Sequence, residues 1–487
     1  MLNKIMKKKI SLIAIILLIL FGVSYYYVNN TIGGQKLDMT KTPFTIEQRQ
    51  FIKKYLFPQK FYKQKNQTIN IQKEQISSLN LPRIELDFKK SLANIELEEP
   101  KIIELSNKKI LKKYKIKNGF YTAIFGLRPG GYIDFHENNL LVLSSRGILG
   151  YNEDLNNDLS FKQIENNIND FIGLKQFQKN ALREGKNYNF AIRDLFIHKN
   201  RIYISYIDEI EEDCWNTSVI YGDMNYENIT FKKLLFNDKC INSDLDSVLN
   251  IDGEFNEGSS GGRIQSFDDD NILLTVGCYL SRYLAQDKNS INGKVIKINI
   301  QSSNYEVISM GHRNPQGLYF DKENNIIMES EHGPYGGDEI NLIDVKMIDK
   351  DKPLNYGWPI VSAGEHYGGK VKRNEKKYKK YPLYKSHTKY GFIEPLKSFV
   401  PSIGISEIVK IKNKSYVVAS LGYDRPDDKS LYFFDLDDEN KITNLKQIKV
   451  LERIRDLIIH KNKLYMLFEG PPSAFNWSPS IGVISLN

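Results

Sequence analysis

From about Ile84 onward one short pattern keeps returning along the chain. An alternating apolar run is followed by a polar turn with Asn, Asp or Lys, and then by a second alternating run. It occurs at Tyr132–Val142, Ile192–Tyr206, Gly262–Val276, Gly317–Met328, Ile408–Val418 and Ile454–Phe468. Period-two alternation on both sides of a polar turn predicts a β-hairpin with one buried face. The second and last copies are near duplicates that share Ile-Arg-Asp-Leu-x-Ile-His-Lys-Asn. Six hairpins at intervals of roughly 50–90 residues fit the inner hairpins of six propeller blades, with more variable outer strands. A generic antiparallel sandwich does not explain near-identical copies at that spacing. The fold class read from the pattern is all-β, a six-bladed β-propeller preceded by an N-terminal transmembrane helix and a short stalk.

Two stretches interrupt the pattern. Residues 143–190 carry little strand signal. Residues 366–390 are dense in Lys and Tyr; they read as a solvated loop, the alternative being contact with an acidic partner or lipid headgroups. The start of the chain differs again. Lys4, Lys7, Lys8 and Lys9 precede an apolar run, Ile10 to Val28, of about 19 residues, enough to cross a bilayer. The positive flank keeps the N-terminus cytoplasmic, so the expected location is membrane-anchored with the main domain periplasmic or otherwise extracytoplasmic. A cleaved signal peptide is the competing reading, but the run ends in Tyr25-Tyr26-Tyr27 with no small-x-small site. The expected organisation is an anchor over 1–30, a polar stalk over 31–85 and the propeller over 86–487. Within the stalk, Phe51, Tyr55 and Leu56 recur at helical spacing.

Composition refines this picture. The 29 Tyr and 25 Phe favour strands. The net charge of +9 is unevenly spread: residues 1–120 hold 23 Lys and Arg against 9 Asp and Glu, so the remainder is net −5. The basic excess belongs beside a membrane, and nucleic-acid binding is a poor reading of it. Cys214 and Cys240 flank a predicted hairpin, and in an oxidising compartment a disulfide between them is plausible. Cys278 ends an apolar strand and reads as a buried thiol. No Cys/His spacing suggests zinc.

Candidate chemistry concentrates between Gly311 and Pro359. Polar, Gly/Pro-rich corners surround the fourth hairpin: Gly311-His312-Arg313-Asn314-Pro315-Gln316-Gly317-Leu318, then Glu331-His332-Gly333-Pro334 with Gly337-Asp338-Glu339-Ile340-Asn341, then Asn355-Tyr356-Gly357-Trp358-Pro359. Arg313 offers a planar charged fork for carboxylates or phosphates. Gly333 and Pro334 can turn backbone carbonyls toward a hard cation such as calcium. These three motifs, in this order and spacing, resemble the glucose/sorbosone dehydrogenase family, soluble quinoproteins that oxidise sugars with pyrroloquinoline quinone (PQQ).

The resemblance implies a six-bladed propeller with PQQ and calcium at the channel mouth. It assigns Arg313 and Asn314 to the catalytic and cofactor-facing pair. It assigns Arg453 and Arg455 to the quinone, and their i, i+2 spacing puts both on one face of a strand. Carbonyls of Gly333 and Pro334 would hold the calcium, with Asp338 and Glu339 fixing that loop by local hydrogen bonds as the alternative reading. Arg193 reads instead as a salt bridge to an aspartate. Three departures stand out. The family's base histidine aligns with Ser259, a residue with no useful pKa for proton removal; Glu257 is the nearest replacement base. The family's Lys after Ser-Leu is Gly422 here, with Lys429 nearby. Gly277-Cys278 replaces the family's usual Gly-Asp.

Two functions follow. One is a membrane-anchored sugar or polyol dehydrogenase passing hydride to PQQ, its electron acceptor unspecified. The other is a propeller that has lost its base and binds a sugar or anion as an interaction module. A calcium-dependent hydrolase finds no support, since no ring of inward carboxylates can be placed from the sequence.

Overall fold

The computed structural model describes residues 95–106, 108–117, 130–145, 147–172, 191–235, 239–248, 250–367, 376–422, 428–470 and 479–487. The expected anchor and stalk, residues 1–85, lie outside the described residues. Among the described residues no helix is long and apolar enough to cross a membrane.

Six sheets, antiparallel apart from two short parallel pairings at outer strands, follow one another, and each starts with one of the six hairpins read from the sequence. The two inner strands are Gly131–His136 and Asn139–Ser144 in blade I, Ile192–His198 and Arg201–Glu211 in blade II, and Gly261–Ser266 and Asn271–Val276 in blade III. They are Pro315–Asp321 and Ile326–Glu331 in blade IV, Ile405–Lys412 and Ser415–Ser420 in blade V, and Ile454–His460 and Lys463–Phe468 in blade VI. The innermost strands contact each other in cyclic order, and that of blade VI returns to that of blade I. The second strands are sealed on both faces by neighbouring blades; every residue of Ile326–Glu331 is buried. The core therefore lies between sheets. Between blades II and III, Tyr203 and Val219 pack on Ile264, Ile272 and Ile296.

The outer strands lose this cover, which is why their sequence signal is weak. Residues 143–190 contain two strands of blade I, Leu149–Asn152 and Ser160–Asn166. The second reads SFKQIEN, with Phe161 and Ile164 buried and the rest part-exposed, too polar to be legible as a strand. Ring closure also escaped the sequence. Blade VI takes its outer strands from the start of the domain: Ser480–Ser485 pairs with Ile110–Lys115, which pairs with Lys101–Glu104. Joining first and last segments in one sheet leaves no open seam between blades. Cys214 and Cys240 form the disulfide, with Cα atoms 5.2 Å apart, and Cys278 is a buried free thiol. In the Lys/Tyr-rich stretch, Lys377 pairs with Glu254 and Lys380 with Asp252, so these lysines dock onto an acidic loop of the same domain.

Five of the six innermost strands carry a register shift near one end. The shifts fall between Ile192 and Asp194, Gly261 and Ile264, Pro315 and Gly317, Ile405 and Ile408, and Ile454 and Asp456. A bulge sends two successive side chains toward the axis where a regular strand sends one. At the bulge of blade III stands Arg263, a 3% exposed residue on the channel axis. Its Nη1 donates to Asp194 Oδ1 of blade II at 2.9 Å and to Asp456 Oδ1 of blade VI at 2.7 Å. Its Nε lies 2.7 Å from Glu407 Oε2 of blade V and donates to the Gln316 carbonyl of blade IV at 2.8 Å. The same carboxylates accept backbone N–H groups of adjacent blades: Asp194 from Ile264, Asp456 from Ile133, Glu407 from Leu318. Asp134 of blade I does the same for Ile197. A ring of inward carboxylates thus exists after all, and it closes on an arginine.

Burial pushes Asp194 up to about 7 and Glu407 up to about 8, with Arg263 opposing both shifts. Between the ordinary carboxylate range and those values the folded state holds more protons than the unfolded chain. Stability therefore falls as pH rises through that window. Arg263→Met removes the opposing charge and leaves three carboxylates buried without it. The expected cost is on the order of 3–5 kcal/mol, larger at pH 8 than at pH 5, measured by denaturant unfolding at both values. Equal losses at both pH values would count against this account.

Candidate functional site

The axial bulges open into a cavity of about 540 Å³ whose walls include Arg193, Gln316 and Arg455. Arg313 and Asn314, Glu257 and Ser259, Gly333 and Pro334, Gly422, Arg453 and Arg455 all reach it, whereas Glu339 and Lys429 are not among its walls. Those that reach it come from five separate segments, so it is the ring of blades that assembles them.

Arg313 and Asn314 sit on the turn entering blade IV. One buried carboxylate fixes that turn: Glu331 Oε2 accepts from the Arg313 N–H at 2.6 Å and from the Asn314 N–H at 3.3 Å. The Arg313 guanidinium donates through Nη1 to the His332 carbonyl at 3.0 Å and lies 5.6 Å from the Trp358 ring centre. Asn314 is occupied inside the protein. Its Nδ2 donates to the Gly258 carbonyl at 2.9 Å, and its Oδ1 accepts from the Gly261 N–H at 3.2 Å and Gln316 Nε2 at 2.9 Å. It tethers the short 3₁₀ turn Glu257–Ser259. That turn places Ser259 in the wall, with Glu257 beside it, and Glu257 Oε2 is a buried oxygen with no hydrogen-bond partner among the described residues.

The late arginines share one carboxylate. Arg453 Nη2 donates to Glu469 Oε1 and Arg455 Nε to Glu469 Oε2, each at 2.7 Å; Arg453 lies just before the strand Ile454–His460 and Arg455 at its bulge, so the bulge and not a regular strand face brings the two together. Arg455 Nη1 also donates to Gln316 Oε1 at 2.8 Å. Arg193 differs from the sequence reading. Its aspartate neighbour, Asp194, is taken by Arg263, and Arg193 Nη2 donates to the Glu257 carbonyl at 2.7 Å. Among the described residues, Arg193 and Arg313 meet no carboxylate, and the buried Nε atoms of Arg193, Arg313 and Arg453 have no acceptor.

Gly333 admits no side chain, because a Cβ there would lie 1.4 Å from the Gly337 carbonyl oxygen. The tight turn is closed by Gly337 N–H donating to the Pro334 carbonyl at 3.1 Å. Asp338 locks it to blade V: Oδ1 accepts from Gly333 N–H, and Oδ2 from the Ile403 and Ile405 N–H groups. Asp338 is thus the loop-fixing residue of the alternative reading. Gly422 has φ +68°, and a Cβ there would come 2.5 Å from Lys429 Cγ. The Lys429 stem therefore crosses the position where a side chain is missing.

Sequence reasoning did not single out Glu469, Gln316 or His332. Glu469 follows an apolar strand with no motif around it, and only the fold brings it under two arginines. His332 was visible inside Glu-His-Gly-Pro. Burial, aided by the charges of Arg455 and Arg313, pushes its imidazole down to about 4. It stands neutral in the cavity wall, with Nε2 free of partners among the described residues.

The cavity chemistry suits a planar polyanion. Guanidinium groups approach from blades II, IV and VI, and three of their buried nitrogens await an acceptor. PQQ, an aromatic tricarboxylate, fits that donor set. The Gly333 and Pro334 carbonyls are of the hard-oxygen type calcium takes.

The family model described as Glucose / Sorbosone dehydrogenase matches residues 183–475, more than half of the chain. An uncharacterized protein of Synechocystis is 27% identical over 222 residues, 40% of this chain and 50% of its own length. The aldose sugar dehydrogenase YliI of Escherichia coli is 28% identical over 188 residues, 36% of this chain and 46% of its own length. The chain thus spans about half the length of these curated relatives. A crystal structure of a glucose dehydrogenase superposes with a TM-score of 0.56 at 21% identity, covering 74% of this chain and 98% of that one. The apo form of the soluble aldose sugar dehydrogenase from Escherichia coli gives 0.53 at 18%, covering 74% and 97%. At these identities the structures establish the fold.

Asn314→Leu removes two tethers and strands the Gly258 carbonyl and Gly261 N–H. The expected loss is about 2 kcal/mol in unfolding experiments. Hydrogen exchange should quicken locally at residues 257–261; unchanged exchange there would remove Asn314 as the tether.

Proposed function

The chain belongs to the glucose/sorbosone dehydrogenase family, and from that premise we propose that its axial cavity binds PQQ and oxidises a sugar or related polyol. The observation that carries the reading is the group of buried, acceptor-less Nε atoms on Arg193, Arg313 and Arg453. A buried cationic donor without a partner is costly, and a ligand rich in carboxylates supplies what is missing. When bound, PQQ supplies the hydride acceptor. Arg193 and Arg313 bind its carboxylates as unpaired cations, while Arg453 and Arg455 are held in place by Glu469 and contribute charge from the far wall. Backbone carbonyls of Gly333 and Pro334 hold a calcium ion at the same mouth. Lys429, whose stem already lies over Gly422, adds a further cation there.

A sugar hydroxyl must lose a proton as its carbon loses hydride. Ser259 cannot take it. Glu257 Oε2, beside Ser259 and free of hydrogen bonds, is the proton acceptor in this reading, with the neutral His332 as the nearest alternative. The same reading puts the domain outside the cytoplasm, held to the membrane through residues 1–30. A second reading rests on Ser259 itself. With no histidine at that position, the cavity serves as a binding module for a sugar or anion.

Titrating the full chain with PQQ, with and without calcium, and then adding aldoses with a dye acceptor separates these readings. Calcium-dependent binding with dye reduction is the expected result. Binding without turnover favours the module, and absence of binding overturns the quinoprotein reading.

Glu257→Gln should lower kcat by at least about 100-fold with little change in PQQ affinity. If His332→Gln alone produces that loss, the proton acceptor is His332.

A further inference from the structure

Behind the turn that carries Arg313 and Asn314 lies a second polar cluster, whose members are absent from the cavity wall. His312 is wholly buried, Glu329 likewise, and Glu331 is 3% exposed. One ligand atom from each lies within 4.8 Å of the others. His312 Nδ1 faces Glu329 Oε2 at 3.7 Å and Glu331 Oε1 at 3.8 Å, too far for hydrogen bonds. Asn341, the cross-strand partner of Glu329, donates through Nδ2 to Glu329 Oε2 at 2.9 Å and Glu331 Oε1 at 3.3 Å. Among the described residues, three polar atoms at the cluster are buried with no partner: His312 Nδ1, Glu329 Oε1 and Asn341 Oδ1. Among the described residues no lysine or arginine pairs with Glu329, Glu331 or the adjacent buried Glu339.

We propose that His312, Glu329 and Glu331 form a binding site for one divalent transition-metal ion. The imidazole is already set for it. His312 Nε2 is bonded to Ser309 Oγ at 2.8 Å, and the ring stacks on Tyr356 with centres 4.9 Å apart. That leaves Nδ1 aimed at the two carboxylates, the arrangement by which an outer partner fixes the tautomer of a ligating histidine. Edges of 3.7 and 3.8 Å belong to a tetrahedron with a centre about 2.3 Å from its corners. A shift of a few tenths of an ångström brings them to bonds of about 2.0–2.2 Å. Half a turn of the Asn341 amide replaces Nδ2 with its unpartnered Oδ1 and completes four ligands. One nitrogen with carboxylate and amide oxygens selects a zinc-, cobalt- or manganese-like ion over calcium.

The ion would neutralise carboxylates that otherwise lie buried without a counter-charge, and it would hold Glu331. Glu331 in turn holds the backbone of Arg313 and Asn314, so the ion stiffens the cavity from behind without touching its contents. Glu329 is the residue to change, because glutamine keeps its shape and removes its charge.

The full chain, stripped with a chelator and resupplied with saturating calcium, is titrated with zinc or cobalt in the absence of PQQ. The expected result is one ion per chain by elemental analysis, visible cobalt absorption and a higher melting temperature. Glu329→Gln should weaken cobalt binding at least about 100-fold. Failure of the unaltered protein to retain zinc or cobalt would overturn the site and leave a proton shared among the carboxylates. Binding within about threefold in Glu329→Gln would overturn it equally. Because no PQQ is present, neither outcome bears on the quinoprotein reading.

Discussion

The ion pairs of Arg263 are the constraint on which this propeller depends. Blades pack mainly through apolar faces, and apolar packing sets neither which side chain points along the axis nor how high each blade stands. Arg263 does both. Its guanidinium fork reaches carboxylates of blades II, V and VI and a carbonyl of blade IV. Burial opposes its charge, but Glu407, Asp456 and Asp194 outweigh that and hold its pKa well above the ordinary value. Each of those carboxylates then spends a second lone pair on a backbone N–H of another blade. One side chain thereby sets the register of several sheets, and such a device is costly to break and hard to shift.

The cavity follows from the same bulges. In the two near-identical copies, Ile-Arg-Asp-Leu, the bulge divides the pair: Asp194 and Asp456 go to Arg263, while Arg193 and Arg455 line the cavity. The reading of Arg193 as salt-bridged to an aspartate failed at this point: among the described residues it meets no carboxylate, and the adjacent Asp194 is held by Arg263. Arg455 is separated from Asp456 by the same division and finds Glu469 instead. A repeated tetrapeptide thus supplies both the anchor of the fold and half the cations of the site.

The inner hairpins were legible in the sequence because burial on one face and a polar turn impose period two, and blade after blade repeats it. The outer strands were not, because strands such as Ser160–Asn166 have too little buried surface to force alternation. Closure by Ile110–Lys115 was hidden because pairing between distant segments leaves no local mark. Site residues on Gly/Pro-rich corners could be picked out, since few residue types tolerate those turns; Gly333 illustrates it. Partners such as Glu469 and Gln316 could not, because their role exists only once six blades meet.

The site also shows how far scaffold and chemistry can separate. The turn that carries Arg313 and Asn314 is held mainly by hydrogen bonds: Glu331 below, Gly258 and Gly261 opposite, Gln316 beside. None of these contacts requires a histidine at position 259. Serine at that position therefore leaves the cationic walls intact, and in the proposed reading ligand affinity is independent of which group accepts the proton. The burden then falls on groups already in place. Glu257 has a free oxygen on a turn that Asn314 holds, and His332 has a free nitrogen that burial keeps neutral. Accepting a proton adds one positive charge to the arginine-lined cavity at either position, so the field of the arginines opposes both and does not choose between them. The choice is made by placement: the acceptor is whichever free lone pair comes within hydrogen-bond reach of the substrate hydroxyl as its carbon loses hydride.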